Sequence, residues 1–456
     1  FWPGTSCCWV SSLVAISMQS TRLACRRAHL TSLLHRRSFA GVAAAPSKEQ
    51  QILIDQGLKY GAHNYAPLPV VLSRGSGIFM YDIEGTQYFD FLSAYSSLNQ
   101  GHCHPRIVKA MCEQAQTLTL TSRAFVNDQY PAFCKYVSEL FGYDRVLPMN
   151  SGVEAGETAI KLCRRWAYRV KKVQPNACKI LFASQNFWGR TLAAVSSSSD
   201  PDCFTDFGPY TPGFELIEYD DVPALEAALK ADANIGGVYL EPIQGEAGVR
   251  VPSDGYLAAV AKLCKEHNVL FIADEVQTGL GRTGKMLCSE HSGVRPDMVV
   301  LGKALSGGMM PVSAVLADSE VMLTLEAGAH GSTFGGCPIA CRVAVEALKV
   351  LVEEGLVENA SKMGEIFRGE LQARIGGLPW VQTIRGKGLL NAVVVDPSAK
   401  VSAWELCVMM RDRGVLAKQT HDNIIRFAPP LIISESQLRQ ALDRITAVFL
   451  AASSTS

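Results

Sequence analysis

A chain of 456 residues, 48% hydrophobic and 19% charged, has the composition of a globular protein that buries a large core, with two domains as the default. Lysine plus arginine equals aspartate plus glutamate at 43 each, so no global field favours nucleic acid or an anionic membrane, and a small substrate is expected. The 14 cysteines have neither metal-ligand nor disulfide-framework spacing and read as reduced core thiols.

Residues 1–47 contain no Asp or Glu but carry Arg22, Arg26, Arg27, Arg36 and Arg37 among Ser, Leu and Ala. That is the composition of a mitochondrial presequence, with Arg36-Arg37-Ser-Phe-Ala as the processing neighbourhood. The chain opens on Phe1, and Met18 is the expected start of translation, which leaves a compact basic leader. The alternative is a disordered basic tail. Trp9 to Met18 is serine-interrupted and too short to span a bilayer, and no later stretch reads as transmembrane.

From residue 48 to about residue 94 the chain is punctuated by Tyr and Gly, and it reads as a loop followed by a β-hairpin over Gly77–Asp82 and Tyr88–Phe91, with a turn at Glu84-Gly85. Gly101-His-Cys-His104-Pro105 opens a helix running to about Thr117, the proline at its first turn. His102 and His104 lack a ligand set at metal spacing and read as turn or packing histidines. Val146–Met149 leads to Asn150-Ser151-Gly152-Val153, where a helix begins. Free amides at such a start, with a glycine permitting close approach, suit a phosphate, although Ser-Gly is also a common plain cap.

Three apolar runs without alternation follow, and each suits a parallel strand buried on both faces. Lys179–Ala183 delivers Asn186-Phe187-Trp188-Gly189-Arg190, an aromatic face and a guanidinium; the alternative is a packed aromatic turn. Val238–Leu240 delivers Glu241-Pro-Ile-Gln-Gly-Glu246, and Val269–Ala273 delivers Asp274. A fourth run, Met298–Leu301, leads to Gly302-Lys303. Strand and helix patterns alternate from Lys179 to Val315, the mark of an α/β sheet whose strand ends form the working edge.

A buried carboxylate at a strand end requires a cationic partner, and a lysine among apolar residues has a depressed pKa that frees its amine to attack an aldehyde. Strand-Asp followed by strand-Lys is what pyridoxal phosphate needs: Lys303 to hold it as a Schiff base and Asp274 to keep its ring nitrogen protonated. The alternative is a salt-bridged core pair. A dinucleotide oxidoreductase fails on placement, because no G-x-G-x-x-G follows a first strand and Lys303 would have no role. Beyond the polar loop Gly331-Ser332-Thr333-Phe334-Gly335-Gly336, a helix from about Ala340 to Glu353 leads to a C-terminal α+β unit: strand Leu389–Val395, helix Ala403–Arg413, strand Ile424–Phe427 and helix Ser436–Ala451. Arg426 stands beside Phe427-Ala-Pro-Pro430 as a second carboxylate clamp.

In this order the segments Tyr60-Gly-Ala-His-Asn-Tyr65, Asn99-Gln-Gly-His-Cys-His-Pro105, Leu118-Thr-Leu-Thr-Ser-Arg-Ala-Phe125, Gly152-Val-Glu-Ala-Gly-Glu157, Asn186-Phe-Trp-Gly-Arg190, Glu241-Pro-Ile-Gln-Gly-Glu-Ala-Gly248 and Arg426-Phe-Ala-Pro-Pro430 closely resemble the fold-type I, class III aminotransferases, above all the branch that acts on ornithine. The likeness runs from about Tyr60 to the C-terminus. It implies an α/β fold with a large domain at 95–340, built on a mostly parallel sheet, and a smaller α+β domain made of 48–94 and 341–456. It further implies transfer of the δ-amino group of ornithine to 2-oxoglutarate in the mitochondrial matrix, by a homodimer with shared active sites. Acetylornithine, 4-aminobutyrate and lysine aminotransferases are the rivals, and the Tyr65 and Tyr95 pair argues against them.

Carried over residue by residue, the resemblance makes Lys303 the Schiff-base lysine, Asp274 the partner of the pyridine nitrogen, Phe187 the stacking ring and Gln277 the contact of the ring hydroxyl. Gly152 and Val153 would bind the phosphate by backbone amides, completed by Ser332 and Thr333 of the neighbouring subunit. Tyr65 and Arg190 would hold the α-end of ornithine, Tyr95 would favour ornithine over other ω-amines, and Glu246 would mask Arg426 until 2-oxoglutarate arrives. The sequence departs from the family pattern in Ser151, where threonine is common, and Phe334, where tyrosine is common.

Overall fold

The computed structural model describes residues 45–454, so the expected leader lies outside the described residues except for its last three positions. Helix α1 (Lys48–Tyr60) starts where that leader was expected to end, with the Ser47 hydroxyl accepting the Gln50 amide. The expected hairpin is present as β2 (Phe79–Asp82) and β3 (Gln87–Asp90), and it is extended on its far side by β1 (Leu72–Ser76). Strand β1 is mostly exposed and polar, which is why no apolar pattern marks it. Helices α2 (Pro105–Thr117) and α3 (Gln129–Phe141) follow.

Seven strands then build the central sheet: β4 (Arg145–Met149), β5 (Lys179–Ala183), β6 (Phe214–Ile217), β7 (Ile235–Leu240), β8 (Leu270–Asp274), β9 (Met298–Leu301) and β10 (Ser313–Ala317), in the order β4-β10-β9-β8-β7-β5-β6. The pairs from β9 to β6 are parallel, and β10 runs antiparallel to both its neighbours. Every residue of β7, β8, β9 and β10 is buried, as continuous apolar runs require when helices cover both faces. Alternate residues feed two cores. Ile180 and Phe182 join Ala159, Leu162 and Trp166 of α4 (Gly152–Trp166), whereas Leu181, Val238 and Phe271 face Leu225 of α5 (Val222–Ala231) and Val260 of α6 (Tyr256–Glu266).

Helix α7 (Pro338–Glu353) packs on α2 and α3 and is followed by α8 (Leu356–Ile375). The third sheet comprises β11 (Val381–Lys387), β12 (Leu390–Val395), β14 (Lys418–Thr420) and β15 (Ile424–Phe427); α9 (Ala403–Asp412) and α10 (Glu435–Ser454) complete the chain. Between α9 and β14, β13 (Val415–Leu416) returns to pair with β3, joining the two ends of the sequence in one sheet. Arg282, fully buried, ties the segments together: its guanidinium donates to Asn99 Oδ1 (2.6 Å), Leu389 O (3.0 Å) and Pro429 O (2.6 Å). Among the described residues no helix is long and apolar enough to cross a membrane.

Candidate active site

Strands β5, β7, β8 and β9 point the same way, so their C-terminal ends bring Phe187, Glu241, Asp274 and Lys303 to one edge of the sheet. Asp274 is the last residue of β8 and is 4% exposed. Its carboxylate accepts the Tyr239 hydroxyl (2.7 Å) and the Val276 amide (3.1 Å), and no cation touches it among the described residues. Burial raises its pKa, which those hydrogen bonds and the more distant Lys303 charge only partly oppose. The salt-bridged core pair is therefore not what forms.

Lys303 follows Gly302 at the end of β9 with φ of 46°, a left-handed conformation that turns the chain out of the sheet. Gly302 packs closely there, since a Cβ would come within 3.3 Å of Val276 Cγ1 and 3.5 Å of Gly152 Cα. The Lys303 amine makes no hydrogen bond or ion pair among the described residues. Burial lowers its pKa, against the raising effect of Glu246 and Asp274, so a larger neutral fraction is available for attack.

At the β4–α4 turn, Ser151 and Glu154 close a capping box: the Ser151 hydroxyl accepts the Glu154 amide, and Glu154 accepts the Ser151 amide (2.6 Å). The serine side chain is thus engaged in its own helix, and the Gly152 and Val153 amides are left without a protein acceptor among the described residues. Ser332 Oγ accepts Asn150 Nδ2 (2.9 Å), which lays the 331–336 loop against this turn, while Thr333 and Phe334 are exposed. Phe187 is half-buried; its amide donates to Glu241 Oε1 (2.9 Å), and the Arg190 guanidinium lies 5.6 Å from its ring centre.

The rim is built by other segments. Arg426, on β15 and 4% exposed, donates to Glu246 Oε1 (2.8 Å), and Gln277 Nε2 reaches the same oxygen at 3.4 Å. Burial alone would raise the Glu246 pKa, but the Arg426 charge and hydrogen bond outweigh it and hold the carboxyl below its ordinary value. Glu246 keeps 27% of its side chain accessible, so this pair is buried on one side only. Arg426 Nε is buried with no partner among the described residues, an unmet donor beside the ion pair. Tyr95 covers the guanidinium, its ring centre 4.9 Å from Cζ. Tyr65 is 77% exposed and lies near enough to Tyr95 to affect its ionisation, and Arg190 is also exposed; no hydrogen bond joins Tyr65 to Arg190 among the described residues.

Tyr95 sits in a run of four non-glycine residues with positive φ: Ser93 (49°), Ala94 (45°), Tyr95 (60°) and Ser96 (71°). A left-handed turn of L-residues costs roughly 1–2 kcal/mol per residue. His102 and His104 prove to be engaged with acids, His102 with Asp90 (2.8 Å) and His104 with Glu354 (3.2 Å).

Sequence reasoning missed Tyr239, the hydroxyl partner of Asp274, because a tyrosine inside a buried strand looks like any core aromatic. It also missed Trp188, which packs on Tyr239 and donates to Ser197 Oγ (2.8 Å), and the strained turn around Tyr95. Glu241 was noted only as an acid at the edge. It is 6% exposed, accepts the Phe187 and Gly245 amides, and is pushed up to about 8, first by burial and then by the Asp274 charge.

These residues fit pyridoxal phosphate: a buried carboxylate awaiting a cation, a lysine amine free at the cleft floor, two open amides at a helix start and an aromatic ring beside them. The aminotransferase class-III family pattern matches residues 60–449. The chain is 57% identical over 408 residues to the mitochondrial ornithine aminotransferase of Drosophila melanogaster, covering 90% of this chain and 93% of the relative. A solved ornithine aminotransferase from Toxoplasma gondii, described as showing partial occupancy of PLP at its active site, superposes with a TM-score of 0.87 at 50% identity, covering 88% of this chain and 94% of that one. An acetylornithine aminotransferase from Elizabethkingia anophelis superposes with a TM-score of 0.81 at 49% identity, covering 88% and 99%.

Proposed function

The chain belongs to the class-III aminotransferases, and from that premise we infer that it transfers the δ-amino group of L-ornithine to 2-oxoglutarate, giving glutamate 5-semialdehyde and glutamate in two alternating half-reactions. Pyridoxal phosphate is its cofactor. The chemistry that this group supplies when bound is an aldehyde to carry the amino nitrogen and a ring to take up the electron pair of the carbon that loses its proton.

In our reading Lys303 holds the cofactor covalently and, once released, moves a proton at its Nζ to and from the reacting carbon. Asp274 keeps the ring nitrogen protonated, Phe187 covers the ring face and Gln277 meets the ring hydroxyl. The Gly152 and Val153 amides receive the phosphate, with Ser332 and Thr333 reaching it from a second copy of the chain. Phe125, Val126 and Phe334, which are 72%, 91% and 57% exposed, are apolar side chains that a second copy of the chain would be able to cover. The small substrates need no other partner.

The observation that carries the substrate assignment is the Glu246–Arg426 pair. Ornithine brings a distal ammonium to the cleft and 2-oxoglutarate brings a carboxylate to the same place, so one site requires a charge that can be switched. Paired, the two groups are neutral overall; parted, they expose a guanidinium whose unmet donors match a carboxylate. In the paired state Tyr65 and Arg190 take the α-amino and α-carboxylate end, and Tyr95 bounds the pocket.

A panel of ω-amino donors with 2-oxoglutarate tests the assignment. Ornithine should surpass N-acetylornithine and 4-aminobutyrate in kcat/KM; a preference for N-acetylornithine would transfer the chain to the rival branch. The acid-free, arginine-bearing segment before residue 48 and the mitochondrial relative support import into the matrix, where the product would link ornithine to proline and glutamate metabolism.

A further inference from the structure

The left-handed run Ser93–Ser96 has backbone bonds of its own, the Tyr95 amide to Leu92 O (3.0 Å) and the Ser97 amide to Ser93 O (2.8 Å), and it is also anchored from outside. Asp90 is 2% exposed, and its Oδ1 accepts the amides of Leu92 (2.9 Å) and Ser93 (2.8 Å), at the entry to the turn. Its Oδ2 pairs with His102 Nε2 at 2.8 Å. His102 is fixed in turn: its backbone exchanges hydrogen bonds with Gly77 (3.0 and 2.7 Å), and its ring lies on Gly75, where a Cβ would come within 2.7 Å of Nδ1. On the other flank Phe91 O accepts the Ala428 amide (2.7 Å), two residues beyond Arg426. The turn's own hydroxyls do not hold it, because Ser93 Oγ and Ser96 Oγ are buried without partners among the described residues. A conformation this unfavourable persists only where its surroundings over-determine it, and such sites are recurrently functional.

We propose that Asp90 and His102 are positioning residues that hold the Ser93–Ser96 turn in its left-handed form, so that Tyr95 is set over the Arg426 guanidinium and donor preference is fixed by that setting. The proposal rests on the donor-pocket reading of Tyr95 and Arg426. Neither Asp90 nor His102 needs to touch substrate. They act through the backbone of residues 92–96, and the strained turn makes the position of the Tyr95 ring a property of the scaffold instead of its rotamer alone.

Ala94→Gly relaxes the turn without altering Tyr95, Asp90 or Arg426, and Asp90→Asn keeps an acceptor for the backbone while removing the charge that faces His102. Each is made in the holoenzyme. For Ala94→Gly, Tm should hold or rise by about a degree, since glycine adopts positive φ without strain. For Asp90→Asn the ratio of kcat/KM for ornithine to that for glutamate as donor should fall roughly three- to tenfold, with bound-cofactor absorbance unchanged, whereas Ala94→Gly, which suits the left-handed form, should leave the ratio in place. If Asp90→Asn instead lowers Tm and the rates with both donors together while the ratio stays constant, the turn is merely structural and the proposal is wrong. Tyr95→Ala, measured alongside, separates the two layers. A ratio unmoved by Tyr95→Ala overturns the donor-pocket reading and this proposal with it; a ratio moved by Tyr95→Ala but not by Asp90→Asn overturns this proposal only.

Discussion

At the floor of the cleft Asp274 and Lys303 are carried on adjacent strands of one sheet, whereas at the rim Tyr95, Glu246 and Arg426 come from three segments far apart in the chain. The floor inherits its geometry from hydrogen-bonded register, with Asp274 opposite Val300, and from burial on both faces. Its groups are chemically severe: a carboxylate and an amine, each pushed by burial toward its neutral form, that do not pair with each other. The rim depends on one ion pair, one cation–ring contact and a turn under strain. In the function proposed above, rigid placement would serve the chemistry and separable contacts the choice of substrate.

Substitutions should divide along the same line. Lys303→Ala is expected to lower turnover by at least about a thousandfold for every donor, because no other amine at the floor can hold the cofactor or move the proton. Tm should not fall, since a desolvated amine is removed; retention of near-normal rates in single-turnover assays would end the assignment. Asp274→Ala should lower turnover roughly a hundred- to a thousandfold, again without regard to donor, with bound-cofactor absorbance retained. A donor-dependent loss would erase the distinction between floor and rim.

Glu246→Ala acts at the rim and should change preference before rate. With Arg426 bare in both half-reactions, α-amino donors should gain on ornithine by roughly ten- to a hundredfold in the ratio of kcat/KM, the range for one charge-assisted hydrogen bond. Stopped-flow rates for each half-reaction decide this, and equal slowing of both would reduce Glu246 to a structural acid.

The smallest effect is expected between the two regions, at Glu241. Its carboxyl has a folded pKa of about 8 against an ordinary 4.5, so the folded chain holds a proton that the unfolded chain releases in that window. Stability should therefore decline as pH rises from about 4.5 towards 8. Glu241→Gln abolishes the titration and should flatten the decline by a degree or two in Tm, read by thermal melts across that range. A slope identical in the two proteins would contradict it.

The floor was far more legible in the sequence than the rim. Unbroken apolar runs marked β5, β8 and β9 to within a residue, and the chemistry of Asp274 and Lys303 followed from where those runs stopped. Nothing local announces that Arg426, read on its own residues as a carboxylate clamp, will face Glu246 across 180 positions, and their pairing entered only through resemblance. Strand β1 was missed because it is exposed and polar. The turn at Ser93–Ser96 was missed for a stronger reason: none of its residues favours positive φ, so propensity argues against the conformation that the surroundings impose.

Arg282 makes one buried charge depend on segments remote in the sequence. Its guanidinium is fully buried, with its pKa lowered to about 9 by burial, and two of its carbonyl acceptors belong to Leu389 and Pro429. A buried guanidinium is tolerated only with its acceptors in place, and the last of them, Pro429 O, lies 147 positions beyond Arg282. Removing either carbonyl would leave a buried charge short of its acceptors, so the Leu389 and Pro429 segments are held in place by the same guanidinium that needs them.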